Sequence, residues 1–277
     1  MANTVYNNAV IAAQAKDILT TAVNARSLMT IDTDLQENAG MKKTINTYVY
    51  SGTAEELAAG VGNTAANRGS ISYTGKDYTV KLVQQAYDYT DEDVMKDPQI
   101  VDMLTQGASQ VMANKLTADF YTAVAAASTG ASATIGTTTF ANGSTIGYDA
   151  VVDAIADMNI EDESGLFLLV SPEWKGDIRK DDDYKAAQMG EVVYNGQVGT
   201  IAGIPVIATK ALTPAAGASA YALLMTKDAV KCFVKKDVEV EQDRNADTRT
   251  NSVYLRTAYV VAVVDGTKAR KIVEAAQ

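Results

Sequence analysis

One stretch constrains the fold of this chain more than any other. Residues 98–127 read "PQIVDMLTQGASQVMANKLTADFYTAVAAA". Ile100, Leu104, Ala108, Val111, Leu116, Phe120 and Val124 recur mostly at spacings of three and four, the apolar stripe of one helix. About 28 residues at 1.5 Å each make a rod of roughly 42 Å. That exceeds most globular helices, so the molecule is expected to be elongated, with this helix as its spine. Thr90 and Asp93 approximate a capping box just upstream. Asp97-Pro98 is a second start signal, with proline in a first helical turn.

Around this spine the pattern is mixed. Residues 8–29 carry Val10, Ile11, Ala15, Ile18, Leu19, Ala22 and Val23 at helical spacing and precede any core, so they are expected to pack on something else, such as a neighbouring subunit. Residues 44–50, "TINTYVY", alternate weakly like a strand. Residues 60–75 are rich in Gly, Asn, Ser and Thr, and residues 78–89 read as a strand through Val80, Leu82 and Tyr87. Together they predict a long two-stranded excursion with its tip at 60–75. Such a hairpin is marginal alone in water and should rest on a partner.

Beyond the spine, residues 128–147 read as a polar loop with a short hairpin in "ATIGTTTFANGST". Residues 148–158 predict a helix with Val151, Val152, Ile155 and Met158 on one side. Residues 166–170 form a buried strand that ends at a helix start, with Ser171 as cap, Pro172 first and Glu173 in the first turn. Strands with a turn at Asn195-Gly196, a strand and turn in "YALLMTKDAVKCFVKK", and a long strand over 252–265 complete the chain. No internal repeat and no βαβ rhythm is present, so the class is α+β rather than the α/β of many enzymes.

The length of 277 residues exceeds a single core of about 100–150 residues. The chain contains no histidine. That removes Ser-His-Asp and Cys-His nucleophile systems and the commonest transition-metal ligand. The net charge of −10 argues against a tight grip on phosphate backbones, which needs clustered Lys and Arg, and is compatible with enclosing nucleic acid. One cysteine, Cys232, permits no intrachain disulfide. No signal peptide and no apolar run of membrane-spanning length is visible. No cofactor is expected.

Several motifs fail on inspection. "GVGNTA" at 60–65 fits a dinucleotide fingerprint loosely but follows a helix-like segment and precedes a polar loop. "GSISYTGKD" at 69–77 has five residues between its glycines and Asp77 where a phosphate loop needs Ser or Thr. Asp181, Asp182 and Asp183 lack calcium-loop spacing and read as a solvated acidic loop. Asn142-Gly143-Ser144 reads as a tight turn. Cys232 alternates with apolar neighbours and reads as a half-buried small hydrophobe, although nearby lysines could lower its pKa. Trp174 reads as a core anchor, and "KARK" near the C terminus is too short to claim nucleic acid.

The last informative stretch is "VGTIAGIPVIATKAL", residues 198–212. Proline inside a good strand belongs at an edge, a start or a bulge. Gly203 and Pro205 therefore predict a structural corner, with Ile204 held extended by the following proline. This stretch follows "VSPEW" at 170–174, and "YDYTDEDVMKD" at 87–97 leads into the spine. In this order the features resemble the major capsid proteins of tailed bacteriophages, the Hong Kong 97-type fold.

The resemblance implies an N-terminal arm (1–43), an extended E-loop with flanking strands (44–90), and a P-domain spine helix with its following loop (91–147). It further implies a compact A-domain (148–225), then P-domain strands and a C-terminal return to the A-domain (226–277). Copies would form hexamers and pentamers in an icosahedral virion shell around double-stranded DNA, assembled in the host bacterial cytoplasm. The chain begins close to its arm, so a separate scaffolding protein is expected, with a portal and decoration proteins as further partners and no membrane. Some members cross-link a lysine of the E-loop to an asparagine of a neighbour; Lys76, taken to lie at the loop tip, with Asn245 or Asn251, are the candidates here. An encapsulin-type compartment shell and a histidine-free enzyme are the alternatives.

Overall fold

The computed structural model describes residues 25–37, 39–65, 67–129, 133–141, 144–182, 199–212 and 220–275. In chain order, the elements are β1 (Thr30–Asp32), α1 (Asp34–Glu37), β2 (Lys42–Ser51), β3 (Ser70–Thr79), β4 (Lys81–Thr90), α2 (Asp91–Lys96) and α3 (Ile100–Ala127). There follow β5 (Gly136–Phe140), α4 (Tyr148–Met158), β6 (Leu166–Val170), α5 (Pro172–Lys180), β7 (Thr200–Ile201) and β8 (Ile204–Ala208). The chain closes with β9 (Tyr221–Thr226), β10 (Val230–Asn245), β11 (Thr250–Val263) and β12 (Ala269–Glu274). Most of residues 8–29, the turn at Asn142-Gly143, Asp183 and the turn at Asn195-Gly196 lie outside the described residues.

Helix α3 is the predicted spine, 28 residues long. The box ahead of it forms: Asp93 N–H donates to the Thr90 hydroxyl, and Thr90 N–H donates to the Asp93 carboxylate at 3.1 Å. Asp97 and Pro98 lie in the turn between the two helices, where the Asp97 carboxylate accepts from Gln99 N–H at 2.9 Å. The buried stripe differs from the predicted one at Val111, which faces out, while Val101, Met112, Ala113 and Tyr121 are buried. Thr105 and Ser109 are also buried and return their hydroxyl protons to the carbonyls one turn back, both at 2.7 Å. A period of 3.6 tolerates this shift, because Met112 and Ala113 cover the same gap between Ala108 and Leu116.

The N-terminal half of α3 packs on a four-stranded sheet of order β1-β10-β11-β4. Its other half joins a core shared with a six-stranded sheet of order β5-β12-β9-β6-β8-β7. On the far side of that second sheet, α4 and α5 cover Leu166, Leu168, Val170, Ile204 and Val206. Strand β6 is buried throughout, as its unbroken apolar run predicts. Ser171 caps α5 by accepting from Trp174 N–H at 3.2 Å, and Pro172 occupies the first turn. Trp174 is buried edge-on against Phe140 with ring centroids 5.6 Å apart.

Three expectations are corrected. First, residues 78–89 are not the second arm of the hairpin. The arm is β3, which pairs with β2 along its full length, whereas β4 pairs with β11 in the four-stranded sheet. The break falls at buried Val80, whose N–H donates to Met41 O at 2.8 Å. Second, residues 133–141 hold no hairpin; β5 is a single edge strand, parallel to β12 and seated in the six-stranded sheet rather than beside the spine. Third, Val152 points out from α4, whose buried face is Ala150, Val151, Ala154 and Met158.

The stretch at 199–212 forms a two-residue hairpin. Ala202 and Gly203 both have positive φ, 49° and 79°, the pattern of a type I′ turn. Pro205 sits opposite Thr200, between ladder bonds: Val206 N–H donates to Gly199 O at 3.0 Å, and no donor is asked of Pro205 on that side.

Candidate assembly surface

The β2–β3 ribbon is the part of the molecule least explained by its own chain. One face of the ribbon presents the cross-strand pairs Tyr48–Tyr73 and Tyr50–Ile71. These side chains are 66%, 70%, 68% and 67% exposed. The other face presents Thr47, Thr74, Ser51, Ser70 and Ser72 around a single Val49. Tyr48 and Tyr73 lie 6.2 Å apart by ring centroids. The Tyr50 ring lies across Gly69, where any Cβ would collide with it, so glycine lets the tip close on the aromatic face. A ribbon with one aromatic and one hydroxyl face, wetted on both, is built to be covered.

The base of the ribbon is fixed. Tyr78 donates its hydroxyl to Val263 O at 2.9 Å and stacks on buried Phe233. Lys43 pairs with Asp34 at 3.2 Å. Lys76 belongs to this base, opposite Ile45, and its ammonium lies over the Tyr78 ring. The tip, residues 52–69, contains no lysine. The tip position expected for Lys76 is therefore corrected: the hairpin turns much earlier in the chain than the glycine content of 60–75 suggested.

The asparagines paired with Lys76 lie elsewhere, at the far end of the four-stranded sheet. The Asn245 side-chain carbonyl accepts from Asp247 N–H at 3.0 Å and shapes the β10–β11 turn. Asn251 donates its amide to Asp91 at 3.1 Å, and Arg244 joins the same carboxylate at 2.8 Å. Arg249, at φ 54°, pairs with Glu92 at 2.9 Å. The hairpin tip is thus stapled to the first turn of α2, where acidic groups also favour the helix N-terminus. Gly203 and Pro205 lie in the six-stranded sheet, away from both groups.

Other singled-out residues are structural. Cys232 is buried, and burial pushes its thiol up to about 12, the reverse of activation by lysines. Asp181 is not merely solvated: its carboxylate accepts Tyr148 N–H at 2.5 Å and caps α4, where Gly147 offers no side chain. Among the described residues no group of His, Cys, Asp and Glu is placed to hold a metal, and no helix is long and apolar enough to cross a membrane. Ile71 and Tyr73 are surface residues that the sequence reading misses, because they fall within 60–75, the stretch expected to be the tip. The alternation of Ile71 and Tyr73 with serines was the available signal.

Relatives fit this architecture. A family model described as "Phage capsid protein" matches residues 74–273. The major capsid protein of Staphylococcus phage phiMR11 is 27% identical over 253 residues, spanning 89% of this chain and 85% of that relative. Among solved structures, the bacteriophage PhiM1 mature capsid superposes with a TM-score of 0.69 at 13% identity, over 91% of this chain and 87% of the other. The capsid of a native GTA particle gives 0.68 at 14% identity, over 100% and 93%. The fold is that of these shell subunits, and since the family match runs from β3 through β12, the chain belongs to the phage capsid protein family.

Proposed function

We propose that this major capsid protein closes into an icosahedral shell of hexamers and pentamers around double-stranded viral DNA. The observation that carries the reading is the aromatic face of the β2–β3 ribbon, which is exposed among the described residues. A second copy is the natural occupant, since a shell brings the same surface to every neighbour. In this reading the four-stranded sheet and α3 form the peripheral P-domain, and residues 148–225 with β12 form the axial A-domain. The ribbon is the E-loop, and the chain before residue 44 is the arm. A wall of net charge −10 encloses DNA without holding it, so the genome can leave. A separate scaffolding protein, a portal and decoration proteins complete assembly in the host cytoplasm. The phage capsid match favours this viral shell over a cargo compartment.

The neighbours are held without covalent bonds in this proposal. Asn245 and Asn251 are both engaged within their own subunit, and Lys76 rests on Tyr78 at the ribbon base. Boiled particles should run as one monomer band, and a ladder of multiples would instead identify a cross-link.

Electron microscopy of the purified protein tests the shell directly. Closed particles of uniform diameter are expected from the natural sequence. The double variant Tyr48→Ser/Tyr73→Ser should melt within about 0.5 kcal/mol of it, as surface changes do, yet remain as small oligomers. Normal shells from the double variant would remove the ribbon from the mechanism.

A further inference from the structure

Strand β4 closes one side of the four-stranded sheet, and its outer edge raises a second question. It pairs with β11 from Lys81 to Thr90 without a register shift, and no strand of the described residues lies on its other side. Natural edge strands are usually short or guarded by proline, a bulge or lysine. Here the strand is 10 residues long with no proline or glycine, and residues 82–87, "LVQQAY", carry no charge.

The hydrogen bonds show which residues face outward. Asp91 N–H donates to Arg249 O at 3.2 Å, one rung beyond the Thr90–Thr250 pair. Bonded rungs alternate along an antiparallel ladder. Val83, Gln85, Tyr87 and Tyr89 therefore bond to β11, while Leu82, Gln84, Ala86 and Asp88 turn both backbone groups away from it. The outward row is stopped at both ends. Val80 N–H donates to Met41 O at 2.8 Å, and Thr90 N–H donates to the Asp93 carboxylate at 3.1 Å. Between these stops all four residues are exposed, Leu82 at 60%. Ala86 O accepts at 3.3 Å from the side-chain amide of Gln85, its own neighbour in the chain. That amide stands where the N–H of an added strand would donate.

The open row spans roughly 20 Å and has Gln85 at its centre. A row with a centre is its own complement. The same strand turned about a two-fold axis there runs antiparallel to itself and sets outward residues of one copy against outward residues of the other, each rung exchanging both bonds. No like charges are opposed, because Asp88, the only charge in residues 82–88, falls opposite Leu82 or Gln84.

We propose that β4 pairs edge to edge with β4 of a second copy about a two-fold axis near Gln85, joining the two four-stranded sheets into one. The contact is separate from the ribbon and stands whether or not the ribbon face is covered.

Hydrogen exchange at single-residue resolution on the unaltered chain tests it. In assembled protein the amides of Leu82, Gln84, Ala86 and Asp88 should exchange at least about tenfold more slowly than in dilute subunits, while those of Val83, Gln85 and Tyr87 are protected in both. Fast exchange of the four in closed particles would overturn the proposal and leave the shell standing. Protection of the four already in the single subunit would also overturn it, since one chain would then cover its own edge. Ala86→Pro removes one outward donor and no bond to β11, so the variant should melt within about 4 °C of the natural protein. It should lose the slow exchange at Leu82 and Gln84; unchanged protection there would count against the pairing. Finally, Gln84→Cys, Gln85→Cys and Ala86→Cys are made singly with Cys232→Ala. A residue on the axis meets its own copy, so at least one of the three should give a disulfide-linked dimer on oxidation. If none does, the edge belongs to a different strand and the two-fold pairing fails.

Discussion

Arg270 shows how single side chains join the parts of this molecule. From β12 it donates to the Thr138 hydroxyl on β5 and to the Asp157 carboxylate on α4, both at 2.8 Å. Thr138 in turn donates to Asp157 at 2.6 Å. The Thr138 hydroxyl first, and the Arg270 guanidinium second, hold the Asp157 carboxyl below its ordinary value. A folded pKa below the unfolded one gives stability that is present above the unfolded value and lost as pH falls through the folded one. Asp157→Asn should therefore lower the melting temperature at neutral pH, and the gap from the natural protein should narrow below about pH 4. A gap that stays constant down to acid would refute this linkage. The turn at Ala202-Gly203 offers a second residue-scale test. Ala202 pays for its left-handed backbone, so Ala202→Gly should raise stability by about 0.5–1 kcal/mol in urea titration, net of the freedom glycine loses on folding. No gain, or a loss, would mean that the turn is relaxed as it stands.

At the scale of elements, legibility in the sequence followed burial. Helix α3, helix α4, strand β6 and the Ser171 cap could be read because a buried face imposes its period on the sequence, and a cap demands particular side chains. Strand β3 could not, because neither of its faces is buried within the subunit. Its apolar residues, Ile71 and Tyr73, are exposed and so leave no buried face to read. The same reason hid half of the assembly surface, Ile71 and Tyr73, while Tyr48 and Tyr50 stood out on β2. Strand β5 escaped for a different cause. Its place depends on a parallel partner more than a hundred residues away, and nothing local in "GTTTF" announces β12. Lys76 shows the limit of composition. Glycine content suggested where the chain turns, yet Gly75 is a paired strand residue opposite Asn46.

At the scale of the whole molecule, the two sheets and their shared helix explain why one chain of this length behaves as a unit. The core that contains Leu116, Phe120 and Val124 also contains Leu223, Val230 and Tyr259, so neither sheet is complete without α3. Tyr259 donates its hydroxyl to Asp119 of that helix at 3.0 Å, and burial raises the phenol's pKa. Net charge acts at this scale too. Copies carrying −10 repel one another, and salt shortens the reach of that repulsion from about 10 Å at 0.1 M to about 3 Å at 1 M. Dissociated subunits should reassociate faster as salt is raised, as followed by light scattering. Slower association at high salt would place attractive charge pairs at the interface.

The ribbon, finally, is a cantilever. Four pairs, from Lys42–Thr79 to Ile45–Lys76, are clamped by Tyr78, Phe233 and the Lys43–Asp34 bridge. Six pairs project beyond them, a span of roughly 20 Å. Rotating the clamp by roughly 5° moves the end by roughly 2 Å over such a span. That displacement lies within what tyrosine rings absorb by changing rotamer, and it leaves the strand register intact. Gly40, at φ 106° with open space around it, stands just before the clamp on the entering strand. One covalent structure can thus aim the same aromatic face at neighbours set at slightly different angles. A closed surface assembled from identical parts requires that tolerance, because its five-fold and six-fold positions are not geometrically alike.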